Sequence, residues 1–158
     1  MLNCSAMAEQ HILAYTMCPL DFILSTNLTK SQAYRPMLRL TLSNGPHRIS
    51  CFGFVDSAAD SCSFPRKLME PLGINTEQII PTMGVGSTNQ TYIHPVTINI
   101  ADIKDIEPFS IKAGFLDGLN EWVYEGLGVG LLGQVGFFDH FKVSLDYRGK
   151  SFIIESYA

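Results

Sequence analysis

The chain has 158 residues, of which 46% are hydrophobic and 16% are charged, and its formal net charge is −4. This balance predicts a single packed globular domain and argues against a disordered chain. The charge pattern has no basic stripe, which argues against nucleic acid or an anionic membrane as a partner. No apolar run reaches the roughly 20 residues that a membrane-spanning helix needs.

Residues 1–33 have no clear hydrophobic period, and we interpret them as an N-terminal extension that is partly ordered at best. They do not resemble a secretory signal, because no Lys or Arg precedes Lys30 and Glu9 comes before the most apolar stretch. The four cysteines form no C-x-x-C pair, and the histidines are not at metal-ligand spacing. We therefore expect a cytoplasmic protein with free thiols and no metal or cofactor.

From residue 34 to residue 158 the sequence predicts one domain made of short strands. Every second residue from Leu38 to Leu42 is apolar, Asn44-Gly45 supplies a turn, and Ile49 to Val55 is the second arm of a hairpin. A short helix is predicted from Pro65 to about Glu70, where a proline stands at its start.

The glycine-containing turn Met83-Gly84-Val85-Gly86-Ser87 is followed by an alternating arm from Val96 to Ile100. A polar hairpin tip between apolar arms is typical of a mobile cover over a site, and an ordinary surface hairpin is the alternative. Further strands are predicted at Phe109 to Phe115, Phe141 to Tyr147 and Phe152 to Ile154. The predicted class is therefore mostly β.

Gly128, Gly130 and Gly133 form a literal G-x-G-x-x-G, with Asp146 and Glu155 downstream as candidate ribose acceptors. The dinucleotide fingerprint must follow the first strand of a βαβ unit, with several parallel strands still to come. Only the 25 residues 134–158 remain, and their pattern predicts a short helix and strands. We interpret the motif as a chance match.

Asp56 stands at the end of an apolar strand and is followed by small or polar residues. A carboxylate in such a place can approach a second carboxylate closely. Two carboxylates that close share a proton, so the pair supplies both a base and an acid. The alternative is a structural Asp that makes a turn or caps a helix, assisted by Ser57.

Several segments together resemble the retropepsin-like aspartic proteases. Phe54-Val55-Asp56-Ser57-Ala58-Ala59-Asp60 is similar to their signature of two hydrophobic residues, Asp, Ser or Thr, Gly, Ala and Asp. Cys62 to Ile74 resembles the continuation in bacterial members, and Gly84–Gly86 stands where the family has its flap. Leu131-Leu132-Gly133-Gln134 resembles the second signature, which a short helix follows. The matches come in the family's order over residues 35–157.

The resemblance implies a single-lobed acid-protease fold: a closed or partly open β-barrel with a flap hairpin and one or two short helices. It also implies a C2 homodimer that cleaves peptide bonds in an extended peptide or protein. One Asp56 would take a proton from water, and the other would hydrogen bond the scissile carbonyl.

The resemblance assigns supporting roles to the neighbouring positions. Ser57 would brace the two catalytic loops across the two-fold axis, and Ala58 and Ala59 would complete the loop. Asp60 would contact the substrate backbone or brace the loop. Residues 83–87 would close over the peptide. Leu131 and Leu132 would pack under the loop and line side-chain pockets.

The sequence departs from the family pattern at two positions. Ala58 replaces a Gly, which is favoured where backbone approaches another group closely or has a positive φ. Gln134 replaces an Arg found in many retroviral relatives, which would remove a guanidinium partner for Asp60. The alternative function is therefore a catalytically impaired module on the same fold that acts in dimerisation or peptide binding. A monomeric β-barrel that binds a small ligand is a third possibility.

Overall fold

The computed structural model describes residues 9–19, 32–83 and 90–157, and these residues form thirteen strands and three short 3-10 turns. The strands are β1 Gln10–Ala14, β2 Thr16–Pro19, β3 Gln32–Arg35, β4 Met37–Asn44, β5 His47–Val55, β6 Ser63–Pro65, β7 Thr82–Met83, β8 Gln90–Ile100, β9 Phe109–Leu116, β10 Val123–Tyr124, β11 Leu127–Leu132, β12 Phe141–Asp146 and β13 Ser151–Ser156. The 3-10 turns are Arg66–Leu68, Thr76–Gln78 and Asp117–Leu119.

Six of the strands close into a barrel. Their order is β11, β5, β4, β8, β9 and β6, and β6 pairs back with β11 to complete the circuit. The pairs β5–β11 and β6–β9 are parallel, and the other four are antiparallel. Closure satisfies the hydrogen-bonding edges that an open sheet would leave exposed. The prediction of a mostly β barrel is confirmed.

The barrel is filled by the inward-facing residues of its alternating strands. Leu38, Leu40 and Leu42 of β4 are fully buried, and so is Ile98 on the neighbouring β8. Burying one such leucine side chain stabilises the folded state by about 1.5–3 kcal/mol. The period-2 patterns of β4 and β8 therefore predicted the core faces correctly.

Gly128 and Gly130 of the run that imitates a dinucleotide motif lie in β11, in the barrel wall, and Gly133 directly follows that strand. A Cβ on Gly130 would come within 2.3 Å of Cδ1 of Phe64, so the missing side chain lets β6 pack against β11. The run is needed for close strand packing in a barrel. No crossover helix follows it within the described residues.

Three strands lie before residue 36, and two of them, β1 and β2, fall within residues 1–33, which the sequence predicted to be an extension that is partly ordered at best. β1 pairs with β13, which also pairs with β12, and β2 pairs with β3. β1 has only five residues, and Ile12 on its outer face is 74% exposed, so its period is too short to recognise. The boundary predicted between residues 33 and 34 falls inside β3. The division into an extension and a domain stays a prediction.

The two predicted helices are shorter than expected. Pro65 to Glu70 contains only the 3-10 turn Arg66–Leu68, and residues 136–140 form turns in which the N–H of Phe141 donates to the carbonyl of Phe137 at 3.1 Å. Gly136 has a φ of 104°, which is incompatible with starting a longer right-handed helix. None of the helical segments among the described residues could cross a membrane.

Candidate functional site

Asp56 lies where two parallel strands end side by side. β5 and β11 pair from Phe52 with Val129 to Val55 with Leu132. The backbone N–H of Asp56 then donates to the carbonyl of Leu132 at 3.1 Å. Because parallel strands end at the same edge of a sheet, the loops that follow β5 and β11 meet there.

The carboxylate of Asp56 is oriented by its own loop. Oδ1 accepts a hydrogen bond from the backbone N–H of Ala58 at 2.9 Å, and the carbonyl of Asp56 accepts one from Ala59 at 3.2 Å. The Asp56 side chain is half-buried. This is the turn that the structural alternative predicted, and it also holds a carboxylate at an accessible surface.

The loop after β11 fixes the loop after β5 through the backbone. Gln134 and Val135 donate their N–H groups to the carbonyls of Ala59 and Asp60, each at 2.9 Å. A Cβ on Gly133 would lie 2.4 Å from the carbonyl oxygen of Ser61, so only glycine allows the two loops to cross this closely. The crossing makes the Asp56 loop a rigid platform.

The side chain of Gln134 contacts the backbone of the loop that carries Asp56. Its Nε2 donates to the carbonyl of Ser57 at 2.9 Å, so it braces the turn that carries Asp56. Within the described ranges, neither the Asp60 carboxylate nor the Ser57 hydroxyl has a hydrogen-bond partner. The amide at position 134 therefore supports the loop through the backbone and leaves Asp60 available.

Ala58 fits its loop without backbone strain. Among the described residues, Glu125 and Lys150 are the non-glycine residues with positive φ, so Ala58 has an ordinary φ. Its side chain is exposed, and its contribution to the turn is a backbone N–H, which every residue except proline has. The conformational reason for glycine at this position is absent.

The segment expected to be a flap is described only in part. Thr82 and Met83 form β7, which pairs with Thr91 and Gln90 of β8, and Met83 is 63% exposed. Gly84, Val85, Gly86 and Ser87 lie outside the described residues. The flap therefore stays a prediction.

A row of side-chain positions crosses the outer face of the barrel beside Asp56. Consecutive register partners on β5, β11, β6, β9 and β8 make up the row: Phe54, Leu131, Ser63, Gly114 and Ile93. Asp56 follows directly after β5 and is two residues beyond Phe54, so the row begins beside the loop that carries Asp56. Leu131 belongs to this row, whereas Leu132 is fully buried in the core.

Sequence reasoning did not find the row, because its members come from five strands and carry no shared motif. Only the strand register brings them together. A second missed residue is Arg35. Its guanidinium lies 5.5 Å from the ring centroid of Phe54, and within the described residues its Nε is buried with no hydrogen-bond partner.

The thiols of Cys51 on β5 and of Cys62, just before β6, are both buried. Burial raises the pKa of Cys51 to about 12 and that of Cys62 to about 11. A thiol with so high a pKa is a poor nucleophile and a poor metal ligand at neutral pH. No three His, Cys, Asp or Glu side chains of the described ranges are grouped so as to hold a metal ion.

Comparison with known proteins identifies the architecture. Among solved structures, a retropepsin-like aspartic protease from Rickettsia conorii is similar over 100% of this chain and 99% of its own, with a TM-score of 0.55 and 16% identity. The fold is retropepsin-like. No protein-family model and no curated protein matches the sequence. At this identity the retropepsin-like likeness concerns the fold, and the chemistry must be argued from the residues.

Proposed function

We propose that this chain is one subunit of a homodimeric aspartic endopeptidase in which Asp56 of each subunit activates water. The observation that carries the proposal is the position of Asp56 at the crossing of two hydrogen-bonded loops, with its carboxylate held by the N–H of Ala58. A rigid carboxylate at an accessible surface is what a shared-proton pair requires.

The proposed reaction needs two carboxylates with different protonation. The ionised Asp56 takes a proton from a water molecule, which attacks the carbonyl carbon of the peptide bond. The protonated Asp56 of the other subunit hydrogen bonds the carbonyl oxygen as negative charge develops there. When the tetrahedral intermediate collapses, the C–N bond breaks and the leaving amine takes the proton that the first Asp56 accepted from water.

A second subunit is proposed because the single chain supplies one such loop on an open surface. The side chain of Asp56 is half-buried, and the Ser57 beside it is exposed with its hydroxyl unpaired among the described residues. A groove of about 530 Å³ lies elsewhere, lined by residues such as Arg66, Asn75 and Asn120, and it does not include Asp56. An isologous C2 contact would bring two Asp56 loops together and enclose a cleft between them.

The proposed substrate is an extended peptide that lies over the row from Phe54 to Ile93. Leu131 of this row is half-buried, and Ile93 is 47% exposed, so apolar surface is available for side chains beside the cleaved bond. Among the described strands β7 pairs only with β8, so its other backbone edge suits pairing with a peptide as an added strand.

The test compares wild type with Asp56→Asn and with the control Asp105→Asn, which changes an exposed Asp away from the loop. Peptide libraries are digested between about pH 3 and pH 8, and sedimentation measures the dimer. We expect cleavage by wild type and the control, none by Asp56→Asn, and inhibition by a statine-type peptide. A purified dimer that cleaves nothing in this range contradicts the proposal. Peptide binding without cleavage would instead favour the non-catalytic module.

A further inference from the structure

We propose that Lys150 is a modification site that controls how the β2–β3 ribbon is attached to the barrel. The ammonium group of Lys150 contacts the rings of Tyr34 and Tyr147 and holds the ribbon beside the turn between β12 and β13, and acylation of the amine releases the ribbon. The inference is independent of the proposed peptidase activity, because its test measures thiol exposure and not cleavage.

The ammonium group of Lys150 is bound by aromatic rings. Its Nζ lies 3.3 Å from the ring centroid of Tyr147 and 4.8 Å from that of Tyr34. Tyr15 contacts Tyr147 edge-on, with 6.2 Å between the two ring centroids. Within the described ranges Lys150 forms no ion pair with a carboxylate. Its charge therefore stabilises the structure through the ring faces.

The backbone of Lys150 fixes the start of its side chain. Lys150 has a φ of 54°, and its N–H donates to the carbonyl of Tyr147 at 3.3 Å, which closes the turn after β12. Its carbonyl accepts a hydrogen bond from the N–H of Tyr15 at 2.8 Å. Lys150 is therefore joined to the residue before β2 through its backbone and to β3 through its ammonium group.

The β2–β3 ribbon needs side-chain contacts to stay on the barrel. β2 and β3 pair with each other and with no other described strand. A two-stranded ribbon is only marginally stable by itself. On the barrel side of the ribbon, Cys18 is fully buried in a cluster with Phe52 of β5 and Val129 of β11. Loss of the contact at Tyr34 should therefore raise the population of open ribbon and expose Cys18.

Acylation is the modification that removes the charge of Lys150. The uncharged amine attacks the carbonyl carbon of an activated acyl group such as a thioester, the C–S bond breaks, the thiolate leaves and the amine proton passes to water. The product is a neutral amide with no charge to place on the rings. Methylation keeps the charge, so dimethylated Lys150 should stay in contact with the rings. Lys150 is half-buried, which leaves part of its side chain open to a reagent.

The test measures the alkylation rate of each cysteine by iodoacetamide in the full chain, read by mass spectrometry. Lys150→Gln imitates the acylated residue, and Lys150→Arg keeps the charge on the same backbone. We expect Cys18 to react about threefold to tenfold faster in Lys150→Gln than in wild type or Lys150→Arg. Cys51 and Cys62, in the barrel core, should stay protected. The control is Lys142→Gln, which neutralises an exposed lysine on β12.

Chemical modification of wild type extends the test to the modified lysine. Acetylation should speed the alkylation of Cys18, and reductive methylation should not. Neither treatment should do so in Lys150→Arg, whose guanidinium stays protonated and is not modified. Equal alkylation rates of Cys18 in Lys150→Gln and Lys150→Arg, or in the acetylated and methylated proteins, overturn the inference. Joint alkylation of Cys18, Cys51 and Cys62 in Lys150→Gln also overturns it, because the whole fold then opens.

Discussion

The carboxylate of Asp56 and the backbone of Ala58 are joined by a hydrogen bond of 2.9 Å between Oδ1 and N. This contact uses no feature of the Ala58 side chain, which is exposed, and Ala58 has an ordinary φ. The methyl group that distinguishes this loop from the family signature therefore does not disturb the loop within one chain. Any effect of this methyl group on activity must therefore come from its contact with a substrate or a second subunit that approaches the loop.

Ala58→Gly should change activity little. Glycine keeps the N–H that holds Asp56 and increases the freedom of the unfolded chain, so we expect a stability loss of about 0.5–1 kcal/mol. Peptidase kcat/KM should stay within about threefold of wild type. Urea unfolding and peptide digestion measure the two effects. If only the Ala58→Gly variant cleaves peptides, the natural chain is the impaired module.

Gln134→Glu should weaken the loop in a pH-dependent way. An ionised Glu cannot donate to the carbonyl of Ser57, so at pH 7 we expect a stability loss of about 0.5–1.5 kcal/mol. Near pH 4, close to the ordinary pKa of Glu at about 4.3, protonation restores a donor and the difference from wild type should shrink. The control is Gln78→Glu, at an exposed position. Equal losses at both pH values would contradict the role of the Nε2 donor.

The buried thiols should make the protein unstable in alkali. In the folded state burial raises the pKa of Cys51 to about 12 and that of Cys62 to about 11, from an ordinary value of 9.0. The folded state therefore keeps protons that the unfolded chain loses above about pH 9. The unfolding free energy should be unaffected by these thiols below about pH 8 and should fall as the pH rises toward about 12, by about 2–4 kcal/mol per thiol.

The Cys51→Ala variant tests whether Cys51 causes the expected fall of the unfolding free energy with rising pH. The variant is less stable at every pH because it leaves a cavity, but its unfolding free energy should fall less steeply above about pH 9. Urea unfolding at a series of pH values measures the slope. Parallel curves for wild type and the variant would show that Cys51 does not cause the alkaline loss.

Leu13→Ser should destabilise the protein, whereas Ile12→Ser should not. Leu13 is half-buried against the main core, and Ile12 on the opposite face of β1 is 74% exposed. We expect losses of about 1–2 kcal/mol for the first and under about 0.5 kcal/mol for the second. Thermal unfolding of both variants measures the difference. Equal stabilities would mean that β1 contributes nothing to the fold in solution.

Several elements could be predicted from the sequence because their signals are local. Leu38 to Leu42 alternate in one strand, and burial of one face of that strand follows directly from the pattern. The position of Asp56 after an apolar strand was visible in the same way. The lengths of the two helices were overestimated, because a proline at the start and a short apolar run do not distinguish a 3-10 turn from a longer helix.

The sequence by itself determined a mostly β chain in which Asp56 follows an apolar strand. Only the tertiary structure decided what surrounds that carboxylate. Parallel pairing of β5 with β11 brings Leu132 to Asp56 across about 75 residues of sequence, and Gln134 reaches Ser57 across a separation of 77. The same register gathers Ser63 and Gly114 beside Leu131. Such neighbours depend on which strands pair and in which register, and a local pattern carries no information about either.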